Sequence, residues 1–366
     1  MAIEKHAGGP GSSSRAWDLS ELTKCGAINT TCQGSFNLDG EIHPIFNLWE
    51  FPDDNDAGVV ESLVAELDQP LLLASRILET AGLPWLSELL IRDIHDASYP
   101  GRTVAEEIFR HPADSSVGES AKTPDIIVRH FDNPGIPPSL QRRWLRATSY
   151  KLQTELPKQI VWHLDGTIFD TNGWVGYTCR HPRRGNHNEG QVLSVPELDR
   201  KETIEACDAQ GKAEGASGRS LTVLVMRQYA ARLMHLRKLG RFGGEEYILT
   251  AFMAAVTLLH ELGHAAYWRD FRAKNARMTE PYFGGDLEME LGDSFVAHIF
   301  GGWVPVPIAS QEQLLAEGIT FKDGLAWRQH LTRDLHKTRP RYRAHYSVQV
   351  KQYVPSRHLL TQLVFL

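Results

Sequence analysis

The stretch from Tyr247 to His264 reads Tyr-Ile-Leu-Thr-Ala-Phe-Met-Ala-Ala-Val-Thr-Leu-Leu-His-Glu-Leu-Gly-His. Up to Leu259 it is apolar all round, the pattern of a helix buried on every side rather than of a surface helix. Ahead of it, Gly243-Gly244 supplies a turn, and Glu245-Glu246 put acids where the positive end of a helix favours them. His260 and His264 are four apart, so on that helix one ring stands above the other on a single face. Two polar rings at the end of a core helix need a partner. The spacing H-E-x-x-H suits two neutral imidazoles on one zinc ion, with Glu261 between them reaching the metal-bound water as general base.

The 366-residue chain is long enough for one large domain or two modest ones. Its composition is 42% hydrophobic and 23% charged with a net charge of −6, which supplies no electrostatic reason to expect nucleic acid or an anionic membrane as partner. No run of eighteen or more apolar residues occurs, so no bilayer span is expected. Met1 to His6 lacks the basic and apolar regions of a signal peptide. Cys25, Cys32, Cys179 and Cys207 form no C-x-x-C pair and no dense framework, and read as free thiols of a reducing compartment. A cytoplasmic location is the resulting expectation, in which the sequon Asn29-Thr30-Thr31 has no use.

Three regions are expected along the chain: a flexible lead over 1–16, a mainly helical region over 17–135, and a zinc-binding catalytic region over 136–366. Apolar spacing from Val59 to Ile94 is helical and broken at Pro70 and Pro84, which predicts two or three short helices, and Thr103 to Arg110 adds another. Asp125 to Arg129 reads as a strand. The cluster Asp132-Asn133-Pro134-Gly135-Ile136-Pro137-Pro138 marks the boundary, and Ser139 is expected to cap a helix running to about Leu156. Gln159 to Leu164, Gly176 to Cys179 and Gln191 to Val195 read as strands of a small antiparallel sheet. Arg180-His181-Pro182-Arg183-Arg184 reads as a solvated hairpin loop. Residues 208–219 read as a loop, Leu221 to Met226 as a strand and Arg227 to Leu239 as a helix.

His163-Leu164-Asp165-Gly166-Thr167-Ile168-Phe169-Asp170-Thr171 resembles the first motif of haloacid-dehalogenase-type phosphatases. Those enzymes need an aspartate nucleophile two residues before the second Asp, and His163 holds that place. Without the carboxylate no aspartyl-phosphate forms, and Asp165-Gly166 reads instead as a hairpin turn. No G-x-G-x-x-G, Walker loop or complete G-x-S-x-G occurs.

A catalytic zinc needs three protein ligands and one open position. In the metzincin pattern the third ligand would be Asp270, six residues after His264, but the glycine that turns the chain back is replaced by Tyr267. In the gluzincin pattern a second helix supplies a glutamate. Asp286 to Phe300 reads as that helix and offers Glu288 and Glu290. Glu290 shares its side of the wheel with Ser294, Ala297 and Gly301, small residues that permit close approach, and is preferred. Asp293 is expected to accept the spare N–H of a ligand histidine. His298 is read as a core histidine, and Tyr282 in the connecting loop as a packing aromatic.

On His260-Glu261-x-x-His264 and the helix carrying Glu290, about fifty residues, the chain resembles a gluzincin-type zinc metallopeptidase. The resemblance implies His260, His264 and Glu290 as ligands of zinc, with Glu261 polarising water and passing its proton to the leaving amine. The family pattern has Asp four residues after the ligand Glu, where this chain has Ser294 and carries Asp293 one position earlier. The Glu-Leu-Gly and Phe-Gly-Gly runs at 290–302 also resemble a fungal zincin-like group. The fold expected is α+β and zincin-like: a small antiparallel or mixed sheet packed on the buried helix, with Leu221 to Met226 as the edge strand that binds extended peptide. The expected function is zinc-dependent hydrolysis of a peptide or other amide bond. Two alternatives stand beside it: a zinc hydrolase or lyase acting on a small metabolite, and a zinc-binding pseudoenzyme that recruits a partner.

Overall fold

The computed structural model describes residues 37–50, 57–91, 126–127, 131, 135–166, 175–180, 201–271, 273, 280–283, 290–300, 303–308, 318–323 and 351–353. These form an α+β arrangement of helices around a small mixed sheet. In chain order the helices are α1 (Ala57–Ala65), α2 (Asp68–Ile77), α3 (Leu83–Leu90), α4 (Pro138–Thr154), α5 (Lys201–Ala213), α6 (Arg227–Lys238), α7 (Glu245–Trp268) and α8 (Leu291–Ile299). The strands are β1 (Ile126–Ile127), β2 (Ile160–Asp165), β3 (Gly176–Cys179), β4 (Leu221–Met226), β5 (Tyr282–Phe283), β6 (Trp303–Ile308), β7 (Gly318–Asp323) and β8 (Lys351–Tyr353).

Helix α7 is the axis of the core. Its 24 residues span about 36 Å, and Ala251, Ala254, Ala255, Leu258, Leu259, Leu262 and Ala265 are fully buried. Small alanines on several faces let neighbours approach from more than one side, and α2, α6, α8 and the β3–β4 face all pack on it. By length and composition the segment Glu246–Trp268 could cross a membrane, but it is buried inside the protein. Its start is as read from the sequence: Gly243 adopts a positive φ of 72° and Gly244 is the N-cap.

The central sheet has the order β2-β4-β3, and four expectations are corrected around it. β2 pairs with β4 in parallel, from Ile160 opposite Leu221 to Asp165 opposite Met226, and only β3 runs antiparallel to β4. Parallel pairing needs a long crossover, and α5 lies within it, where the loop expected at 208–219 begins six residues too early. The strands on either side of Asp165-Gly166 are not a hairpin pair, because β4 lies between them. β4 itself is the centre of the sheet and buried along its whole length. A near-continuous apolar run, broken only by the buried Thr222, suits a covered centre, and with β2 and β3 on its two sides Leu221 to Met226 is not the edge strand. The outer side of β2 is met by the backbone of 48–50, with Trp162 N–H donating to Leu48 O at 2.9 Å and Glu50 N–H to Trp162 O at 3.0 Å. Among the described residues β3 has β4 as its only strand partner.

Pro70 and Pro84 do not break helices but open them, in the first turns of α2 and α3, where no intrahelical N–H is required. Pro137 is the N-cap of α4, so Ser139 lies inside its first turn rather than capping it. Trp85 of α3 is 1% exposed and sits between Phe283 and Phe295, at ring-centroid distances of 4.7 and 4.9 Å. Its Nε1 donates to Ser294 Oγ at 3.2 Å, and Ser87 and Thr148 hydroxyls bond at 2.7 Å. Residues on both sides of 135/136 thus belong to one hydrophobic cluster. β6, β7 and β8 form a separate antiparallel sheet, and β1 pairs with β5 in parallel. The lead 1–16, Cys25, Cys32, the helix at 103–110, the strand at 191–195 and residues 181–184 lie outside the described residues.

Candidate metal centre

His260 and His264 project from the penultimate turns of α7, and the close crossing of α8 brings a carboxylate to them. Two glycines allow that crossing. A Cβ on Gly263 would lie 2.9 Å from Leu291 O and 3.0 Å from Phe295 Cβ, and one on Gly292 would lie 2.6 Å from His260 Nε2. The helix expected over 286–300 begins only at Leu291, so Glu290 is its N-cap residue in extended backbone (φ −138°, ψ 87°). Glu290 is therefore not placed by a helical wheel, although it is the residue that arrives at the rings. Glu288 lies outside the described residues.

Three atoms converge. His260 Nε2 and His264 Nε2 are 3.1 Å apart, and Glu290 Oε1 is 3.3 Å from the first and 2.8 Å from the second. Ligands at the zinc distances of about 2.0–2.1 Å in a tetrahedron are separated by about 3.3 Å. The three edges approach that figure without rearrangement. Glu290 Oε1 is also buried and faces both ring nitrogens without a well-aligned hydrogen bond, a position that a bound cation would satisfy. The donor set of two imidazoles and one carboxylate fits zinc.

The spare ring nitrogens are held. His260 Nδ1 faces Asp293 Oδ1 at 3.3 Å, and His264 Nδ1 faces Glu280 Oε1 at 2.7 Å. Glu280 Oε1 also accepts from Trp268 Nε1 at 2.7 Å, and its Oε2 accepts from Leu291 N–H at 2.8 Å. Glu261 is 3% exposed; its Oε2 accepts the Thr178 hydroxyl at 2.8 Å, and its Oε1 lies against Gly176 of β3. Among the described residues, metal-ligating atoms gather as His260–Glu261–His264 and as His264–Glu280–Glu290. Asp270 is in neither group. It follows the end of α7, where its carbonyl accepts from Arg219 Nη1 at 2.8 Å, because Tyr267 continues the helix past the point where a glycine would have turned it. His298 lies in the last turn of α8, outside both groups.

Burial would lower the pKa of His264, but Glu280 and Glu290 outweigh it and hold the ring well above the usual histidine range. His260 is raised in the same way, with Asp293 overcoming burial. Burial alone would raise Glu290, yet the two rings, His264 foremost, bring it below the ordinary carboxylate range. Glu261 is raised by burial, against the pull of His264, His260 and Thr178. The pocket thus carries more negative than positive fixed charge around the rings, as a cation site needs.

Arg180 corrects a further expectation. It is not in a solvated loop but 8% exposed, with its guanidinium carbon 3.6 Å from the centroid of the Trp268 ring. Burial brings its pKa down to about 10. Glu280, Thr178 and Gly176 are not legible as site residues in the sequence: they lie 16 residues after, and more than eighty before, the histidines. The one sign along the chain is an acid followed by the apolar run Pro281-Tyr282-Phe283. No family model, curated protein or solved structure matches this chain.

Proposed function

We propose that this chain is a zinc-dependent hydrolase of zincin-like architecture that cleaves peptide or related amide bonds. The observation that carries the reading is the triangle of His260 Nε2, His264 Nε2 and Glu290 Oε1, with edges of 3.1, 3.3 and 2.8 Å beside the carboxylate of Glu261. Zinc held by these three residues supplies a positive charge that polarises a carbonyl and acidifies water. Glu261 takes the proton of the attacking water and delivers it to the leaving amine. Its burial raises its basicity toward the working range of a general base. The Thr178 hydroxyl on Oε2 fixes the carboxylate and leaves Oε1 as the atom that handles the proton.

The position of β3 supports a peptide over a small metabolite. Thr178 and Gly176 touch Glu261, so this strand runs beside the reacting position, and among the described residues no strand pairs with its outer side. An extended substrate can pair with such an edge through its own backbone.

Elemental mass spectrometry of the purified protein tests the reading, beside Glu290→Ala and Glu288→Ala. The expected result is one zinc per chain, lost with Glu290→Ala and kept with Glu288→Ala. Glu261→Gln should keep the zinc and lose about 10²- to 10⁴-fold of peptide hydrolysis. Wild-type protein that takes up no zinc on reconstitution would refute the proposal.

A further inference from the structure

We infer that Glu280 is a positioning residue that sets the affinity of the metal centre, by clasping the second histidine to the helix that presents the third ligand. The inference rests on the zinc reading of the same centre. One carboxylate, 8% exposed, takes three donors from two elements: His264 Nδ1 at 2.7 Å and Trp268 Nε1 at 2.7 Å from α7, and Leu291 N–H at 2.8 Å from α8. Leu291 is the residue directly after Glu290, and its N–H is the first of α8. Glu290 has no side-chain cap of its own for this end, so the Glu280 carboxylate occupies the position a capping acid takes. It therefore fixes the backbone from which Glu290 reaches the rings.

Glu280 is grouped with His264 and Glu290 by distance, but its chemistry is not that of a ligand. Both of its oxygens already accept N–H donors from Trp268, Leu291 and the far nitrogen of His264, whereas Glu290 Oε1 faces the Nε2 atoms of both rings. With Nδ1 of His264 bound to Glu280, the lone pair of Nε2 is turned toward Glu290 and His260, as a metal site needs. Trp268 extends the clasp to the sheet, because Arg180, the residue after β3, stacks on its ring. One residue thus ties both ligand-bearing helices together, and through Trp268 reaches the strand beside Glu261.

The test is zinc affinity of the full chain, measured by competition with a chromophoric chelator, together with thermal unfolding of the metal-free protein. Glu280→Gln keeps the shape but leaves one acceptor oxygen in place of two and gives up the charge that holds His264, and should weaken zinc binding about 10- to 100-fold. Glu280→Ala should weaken it further. If Glu280→Ala does not fold, Glu280→Gln alone decides. Glu280→Gln with wild-type zinc affinity would overturn the inference while leaving the zinc reading intact, even if its metal-free melting point fell. Wild-type protein without zinc affinity would remove both.

Discussion

The substitution Gly292→Ala would set a methyl carbon 2.6 Å from Cδ2 and Nε2 of His260 and 2.7 Å from its Cε1. Non-bonded carbon and nitrogen atoms rest at about 3.5–4.0 Å, so the ring or α8 must retreat by about 1 Å. Two effects on the fold oppose each other. Alanine in a helix is favoured over glycine by about 0.5–1 kcal/mol, and overpacking costs about 1–3 kcal/mol. The metal-free protein should therefore lose at most about 2.5 kcal/mol. The site is far less tolerant, because metal–ligand distances hold to about 0.2 Å. Either escape displaces one of the proposed ligands: rotating the ring moves Nε2, and shifting α8 moves Glu290. The expected outcome is a folded protein whose zinc affinity drops by more than 100-fold, read by chelator competition and by circular dichroism. Wild-type zinc affinity in Gly292→Ala would show that the ring has room the geometry denies, and would refute the reasoning.

Other positions separate chemistry, metal and fold. Gly176→Ala would place a Cβ 2.5 Å from Glu261 Oε1, so under the proposed function it should retain zinc while peptide hydrolysis falls about 100-fold, the cost of misplacing a reacting group by about 1 Å. Arg219→Met removes a bidentate partner of buried Asp208 (2.6 and 2.8 Å) and donors to the carbonyls of Trp268, Asp270 and Ala273. Such a loss should cost about 3–5 kcal/mol in denaturant unfolding. Burial brings the pKa of His43 down to about 4, and its Nδ1 accepts the Ile45 N–H at 3.1 Å. The folded protein then binds fewer protons than the unfolded chain between about pH 6.5 and pH 4, so stability is fully present above 6.5 and falls below it. The loss amounts to about 3 kcal/mol by pH 4. His43→Asn, which keeps an acceptor for the turn but cannot titrate, should flatten this part of the stability–pH curve.

Elements with strong local signals are legible in the amino-acid sequence. β3, β4, α6 and the start of α7 fall where turn residues and apolar runs put them. Where sequence and fold differ, the causes are specific. α5 is hidden because Gly211 sits inside it, and a polar, Gly-containing run looks like a loop. The sheet looks antiparallel because successive short strands resemble hairpins. Its parallel pair depends on which strand is inserted between which, a non-local choice. Helical periodicity favours Glu290, yet Glu290 is the residue outside the helix.

The sequence by itself determined that two histidines and a glutamate share the end of a buried helix, because a 3.6-residue period and an all-apolar run are local properties of the chain. It also narrowed the third partner to a few downstream acids. Only the tertiary structure brings Glu290 to the two rings, sets which carboxylate holds which ring, and sets which strand runs beside Glu261. Those answers depend on how closely two helices cross. The crossing is set by the missing side chains of Gly263 and Gly292 and by the Glu280 carboxylate spanning the gap. Such contacts join residues from 11 to 83 positions apart, and no periodicity along the chain encodes them.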